Sequence, residues 1–219
     1  MRERLVLFLM AASFTTFLAV APTFAACKGT PTFEDTFQSL DPSWGVSASD
    51  AVVSIGDGKL VISPTPGTVR TVLSQSDYYG DGSICVLATI SEASKMDGGV
   101  DAIVAFWAVD TNNSYQLNIG SDGKQGYFKV DRFSNKRWLT PFSWQADPII
   151  KYQLGEVNEV ELQMAGRTAT IVINGKKLGQ FNGSPPDGGG LIGVAGSTNP
   201  GVTAKLQFQK FQFFKATAP

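Results

Sequence analysis

Residues 159–181 read EVELQMAGRTATIVINGKKLGQF, and their periodicity decides the fold class. Val160, Leu162 and Met164 alternate with Glu159, Glu161 and Gln163. A period of two means one face buried and one face wet, the signature of a strand in an antiparallel sheet. Two more strand-like runs follow, Thr168–Ile173 and Lys176–Phe181. The turns between them are Ala165-Gly166-Arg167 and Asn174-Gly175. Asn-Gly is the preferred pair for a type I′ turn, because both positions need positive φ. The stretch is therefore an antiparallel meander.

The same signals run through the rest of the chain. Twenty-three glycines, eleven prolines and fifteen phenylalanines occur in short blocks among its 219 residues, which favours many strands joined by tight turns. Val52–Ile55 and Lys59–Ser63 flank Gly56-Asp57-Gly58 as a hairpin. Thr68–Gln75, Ser83–Ile90, Val100–Val109, Ser114–Ile119 and Gly126–Phe133 follow, then the meander, then Leu191–Ala195 and Ala204–Phe214. In the last run Leu206 and Phe208 share one parity while Phe211 and Phe213 share the other. That switch predicts a β-bulge near Gln209-Lys210 or a strand crossing between sheets. No stretch after the N-terminal segment reads as a helix of useful length, and no repeat or linker divides the chain. Twelve strands in a domain of this size close most readily as an all-β sandwich of two antiparallel sheets.

The N-terminus carries a different message. Met1-Arg2-Glu3-Arg4 leads into an apolar run from Leu5 to about Ala21, and Thr23-Phe24-Ala25-Ala26 supplies small residues for cleavage. These are the parts of a secretory signal peptide, residues 1–25, ahead of a single domain at 26–219. An uncleaved anchor is the alternative, since the run is near the lower length for spanning a bilayer. No second such run follows, so no membrane span is expected after cleavage. Removing the segment leaves 16 basic and 18 acidic residues, a net charge of about −2. That balance argues against nucleic acid or an anionic membrane as partner. Export to a secreted or periplasmic location puts Cys27 and Cys85 in an oxidising compartment, where a disulfide is expected. A lipidated Cys27 and two separate thiols are the competing readings. Lipid-attachment sites usually carry Leu three residues before the cysteine, where this chain has Phe24.

The order of several segments resembles a known superfamily. FEDTF (33–37) before Trp44, GDGKLVIS (56–63), VAFWAVDTNNSYQLNI (104–119), the meander at 158–181, GGGLIGVAG (188–196) and LQFQKFQFF (206–214) are similar to a concanavalin A-like lectin/glucanase jelly roll. Within it they resemble the laminin-G-like and 3-keto-disaccharide hydrolase-like domains of secreted bacterial proteins. The resemblance covers roughly residues 32 to 215. It implies the sandwich fold, and fold alone does not settle function.

The chain contains no histidine, which excludes a Ser-His-Asp hydrolase, a Cys-His protease and the usual His-based zinc sites. The remaining catalytic route is a carboxylate pair. In the glucanase members the resemblance implies catalytic acids at alternating positions on one strand. Glu159 and Glu161 share a face, but Glu156 has the wrong parity and the middle acid is missing, so a solvated strand face is the simpler reading. Glu34-Asp35 is a poor dyad, because adjacent strand residues point to opposite faces. Asp110-Thr111-Asn112-Asn113-Ser114 and Asp122-Gly123 could offer oxygens to calcium, but the same residues serve turn geometry. No cofactor is therefore assigned.

A binding face is easier to place. In the hairpin at 115–138, Leu117, Ile119, Phe128 and Val130 make a core face. Gln116, Asn118, Tyr127, Lys129 and Asp131 fall on the other, with Trp107 on the same side by parity and Trp138 close in sequence. Rings stack on sugar C–H faces while amides and charges bond hydroxyls. The expectation is a non-catalytic module for a glycan or extracellular surface, with Trp107 and Tyr127 partly exposed in a groove that Gln116 and Asn118 enter. No facing carboxylate pair is expected there. A glycoside-processing enzyme of the 3-keto-disaccharide hydrolase type and a structural or adhesion domain are the alternatives.

Overall fold

The computed structural model describes residues 27–97 and 99–216, so the N-terminal segment read as a signal peptide lies outside the described residues. Fourteen strands are present among the described residues: β1 Phe33–Asp35, β2 Val53–Gly56, β3 Lys59–Ile62, β4 Val69–Tyr79, β5 Gly82–Ala93, β6 Val100–Asp110 and β7 Asn113–Ser121, continuing with β8 Gly126–Ser134, β9 Arg137–Ala146, β10 Val157–Ala165, β11 Thr168–Ile173, β12 Lys176–Asn182, β13 Gly190–Thr198 and β14 Ala204–Lys215. The only helical element among them is a 3₁₀ turn at Pro42–Trp44. No described helix is long and apolar enough to cross a membrane.

All strand pairs are antiparallel and fall into two sheets. An eight-stranded sheet runs β12-β11-β10-β5-β14-β3-β2, with β1 also pairing β14. A six-stranded sheet runs β4-β13-β6-β7-β8-β9. The two pack face to face as a β-sandwich. The inward residues of β10 and β11 are buried: Val160, Leu162, Met164, Ala169, Ile171 and Ile173. The facing layer comes from Val104, Phe106, Leu117, Ile119, Phe128 and Val130 in the six-stranded sheet.

Local chemistry explains the connections. Asn174 and Gly175 have φ of 50° and 78°, and Ile173 pairs Lys176 across them, the expected type I′ turn. Asn174 also anchors the neighbourhood: its Nδ2 donates to the Ile149 carbonyl at 2.7 Å, and its Oδ1 accepts from the Glu159 N–H at 2.9 Å. The bulge expected near Gln209-Lys210 is present. Lys210 has φ 50°, and the register against β5 slips between Gln209 and Gln212. The extra residue lets Phe208, Phe211 and Phe213 all enter the core.

Two strands escaped the sequence reading. β1 is only three residues long, and its pairing with β14 is set by tertiary contact. β9 is hidden by Pro141, which argues against a strand in the middle of a sheet but is tolerated at an edge. β9 is an edge strand, joined to β8 through a turn at Asn135-Lys136 with φ of 51° and 61°. Two register shifts against β8 break its alternation further.

Cys27 and Cys85 form a disulfide with Cα atoms 5.9 Å apart, so the readings with a lipidated or free thiol give way to the bridge. Cys85 sits between the core residues Ile84 and Val86 on central β5, so its side chain turns to the outer face of the eight-stranded sheet, where Cys27 caps it.

Candidate functional site

The outer face of the six-stranded sheet is built in rows across the strands. Gln116 lies opposite Asp131, Asn118 opposite Lys129 and Gly120 opposite Tyr127 on β7 and β8. β6 extends the same rows with Ala105, Ile103 and Asp101. Side chains alternate along each strand, so these residues share one face, as the hairpin pattern implies.

The middle of the face is a polar network. Lys129 Nζ is 2.7 Å from Asp131 Oδ2. Thr140 Oγ1 donates to Asp131 Oδ1 at 2.8 Å, and Asn118 Nδ2 donates to the Gln116 carbonyl at 2.9 Å and to Asp131 Oδ2 at 3.4 Å. Gln116 Nε2 donates to Ser114 Oγ at 3.4 Å, but Gln116 Oε1 is buried with no partner among the described residues. A buried carbonyl oxygen without a donor costs about 1–3 kcal/mol. Gln116 and Asn118 are only 1% and 3% exposed, so they do not stand open in a groove as the sequence suggested. The network draws them down among their neighbours.

Aromatic rings border the network on the β9 side. Trp144, 45% exposed, meets Tyr127 edge to face at 5.9 Å between centroids. The Lys129 ammonium lies 4.7 Å from the Trp144 ring, a cation–π contact that holds the indole in place. Tyr127 is fixed in turn, its hydroxyl donating to Asp122 Oδ2 at 2.7 Å and accepting from Gln125 Nε2 at 2.9 Å. Trp138, 49% exposed, rests on Phe133 with centroids 4.6 Å apart at the far end of the same hairpin. Trp144 was missed because it lies on the unrecognised β9; the spacing of Trp138, Thr140 and Trp144 after Asn135-Lys136 was the available signal.

Trp107 requires a correction. It is 4% exposed and belongs to the core, packed on Phe106, Tyr115 and Phe181 at centroid distances of 5.3 to 6.3 Å. A bulge overturns the parity argument. Trp107 has φ 45°, and the register of β6 slips against β7 between Phe106 and Asp110 and against β13 beside Ala108. Phe106 and Trp107 therefore both face inward, and Ala108 resumes the outer face in a small cluster with Leu73, Ala105 and Leu191.

The other candidate residues are placed by local structure. Glu159 and Glu161 lie on the outer face of the eight-stranded sheet, but only Glu159 is solvated as expected; Glu161 is 6% exposed, opposite disulfide-bonded Cys85, and accepts from Gln163 Nε2 at 2.8 Å. Asp35 accepts from Trp44 Nε1 at 2.6 Å and Glu34 accepts from Gln212 Nε2 at 2.7 Å, so the two carboxylates point apart. Asp110 accepts from the Asn112 N–H at 2.6 Å, and Asp122 from the Lys124 and Gln125 N–H groups, which are turn-forming roles. Among the described residues no group of three or more His, Cys, Asp or Glu is placed to hold a metal ion.

One acid on the candidate face stands out, and sequence reasoning overlooked it. Asp101 leans over Gly120, where a side chain would collide with its Oδ1, and accepts from Ser197 Oγ at 3.2 Å. Burial pushes its carboxyl from 3.8 up to about 6; the Lys129 charge and the Ser197 bond pull it down, and Asp131 pushes it up. A raised folded pKa means the protonated form favours the fold. The contribution is fully present below about pH 3.8 and is lost as pH rises through about 6. Melting temperature should therefore fall from pH 4 to pH 7 in the native chain relative to Asp101→Asn. Parallel curves for the two proteins would show that Asp101 has no such role.

No protein-family model and no curated protein matches the sequence. Among solved structures, the chain is similar to the carbohydrate-binding module CBM66 from Bacillus subtilis, with a TM-score of 0.56 and 15% identity over 71% of this chain and 86% of that one. It is similar to a Bacillus licheniformis β-glucanase at a TM-score of 0.57 and 12% identity, covering 86% of this chain and 100% of the other. It is also similar to a Bacteroides ovatus GH16 protein of a mixed-linkage glucan locus, in complex with a G4G4G3G product, at 0.58 and 12%, covering 83% and 99%. At these identities the likeness is one of fold.

Proposed function

We propose that this protein is a non-catalytic glycan-binding domain acting outside the cytoplasm, and that its ligand lies on the outer face of the six-stranded sheet along β7, β8 and β9. The observation that carries this reading is the pairing of Trp144 with Tyr127 beside the Lys129–Asp131–Asn118–Gln116 network. Rigid, partly exposed rings offer the flat apolar surface a sugar C–H face needs, and the adjoining Lys129 ammonium supplies a charged donor. The solved neighbours named for carbohydrate binding or glucan degradation favour a carbohydrate ligand. The disulfide and the apolar N-terminal run favour export, with residues 1–25 as the signal. N-terminal sequencing of exported protein should start at Ala26 or Cys27.

The test is a glycan array on the purified protein, followed by calorimetry with the best ligand. Trp144→Ala should weaken binding by about 1–2 kcal/mol, the order of one aromatic contact beyond burial, and leave thermal stability nearly unchanged. Full affinity in the variant would remove the platform from the site.

A catalytic reading has one observation in its favour. Asp101, with its raised pKa, and Asp131, ion-paired with Lys129, share the face. Two carboxyl groups on one face, one of them with a raised pKa, are the arrangement glycosidases use. Hydrolysis of an array hit that Asp101→Asn abolishes would establish it over the binding-only reading.

A further inference from the structure

A cleft of about 340 Å³ opens at the end of the sandwich where the β6–β7 and β8–β9 turns meet the loop after β12. Its floor is Trp107 and Tyr115, and its walls include Arg132, Phe133, Ser184 and Asp187. The floor is rigid: Tyr115 meets Trp107 edge to face at 5.3 Å, and its hydroxyl accepts from the Ser184 N–H at 2.9 Å. Arg132 lies with its guanidinium carbon 5.2 Å from the Tyr115 ring centroid, so stacking holds the fork in place. Among the described residues Arg132 makes no ion pair and no side-chain hydrogen bond, although Asp187 lines the same cleft. Ser114, also on the wall, bonds Gln116, so the cleft adjoins the proposed glycan face.

We infer that this cleft is a subsite for the carboxylate of an acidic sugar, with Arg132 as its anion-binding residue. The inference rests on the glycan-binding reading and names the ligand class. A guanidinium held on an aromatic ring presents two parallel N–H donors, the geometry a carboxylate accepts in bidentate fashion. The cleft volume falls within the range of small-ligand pockets. Asp187 opposes an anion electrostatically, so it sets the sign of a control: neutralising it should strengthen acidic-sugar binding or leave it unchanged.

Titration with digalacturonic acid and with N-acetylneuraminic acid, each against a neutral disaccharide, tests the assignment. Tryptophan fluorescence can report binding, because Trp107 lines the cleft. At least one acidic probe should bind more tightly than the neutral one, and the preference should shrink as salt is raised. Arg132→Gln should lower acidic-sugar affinity by about tenfold or more, with Arg132→Lys intermediate because it keeps the charge and loses the fork. Neutral-sugar binding at Trp144 should survive both changes, which also checks that the variants fold. Neutral binding that depends on Trp144, with no acidic preference or none that Arg132 controls, would overturn the subsite and leave the glycan face standing. Failure of every glycan, with no effect of Trp144→Ala, would overturn both.

Discussion

Trp107→Ala should lower the stability of the domain by about 3–5 kcal/mol, the range for removing a large aromatic from a packed core. The ring is enclosed by Phe106, Tyr115 and Phe181, and a side chain at Gly183 would collide with it. Alanine would leave a void that this aromatic cluster cannot fill, since each partner is itself held by others. For a chain of this length such a loss corresponds to a drop of about 10 °C in melting temperature. Trp107→Phe should recover part of it. Trp144→Ala is the matched control, an indole of the same size on the outer face, and should change stability by less than about 1 kcal/mol. Equal melting of the Trp107 and Trp144 variants would mean that the inward turn at Trp107 is wrong.

Loss of the Cys27–Cys85 bridge is the second large effect. The bond spans 58 residues of sequence, and closing a loop of that length restricts the unfolded chain by about 4 kcal/mol in the chain-entropy model. Cys85 lies on β5, paired on one side to β10 through Glu161 and on the other to β14 through Gln212, so the bridge fastens the start of the described chain to the centre of the larger sheet. Cys85→Ser, or reductant added to the native protein, should lower the denaturant midpoint while leaving the dependence on pH near Asp101 in place. Cys27→Ser should match Cys85→Ser, because each removes the same constraint. A native protein whose unfolding is indifferent to reductant would contradict the bridge's contribution.

The parts of this fold that could be read in advance were those governed by local chemistry. The alternation at 159–164 and the Asn174-Gly175 turn needed only neighbouring residues; the turn and the inward set Val160, Leu162 and Met164 are found as read, while Glu161 on the outer face is covered and not wet. The parity switch from Phe208 to Phe211 predicted a bulge or a strand crossing between sheets, and the bulge at Lys210 is what brings the four large apolar side chains to one core. Trp107 had no such constraint. A single tryptophan after Phe106 gives no sign of which way the backbone will turn, and the αL residue that turns it is one that sequence preference disfavours.

The candidate face divides along the same line. Composition, period and turn residues by themselves determined an all-β chain, the core side of the β7–β8 hairpin, and the polar side that carries Gln116, Asn118, Tyr127 and Lys129. They also pointed to Cys27 and Cys85 as partners. Only the tertiary structure decided that Trp107 is core and that Trp144 is half-exposed on the outer face beside Tyr127. Only it placed Asp101 beside Lys129 from another hairpin and left Arg132 unpaired among the described residues over Tyr115. The physical reason is range: alternation and turn geometry act over a few residues, whereas bulges, edge positions and the fields of distant charges depend on which strands become neighbours.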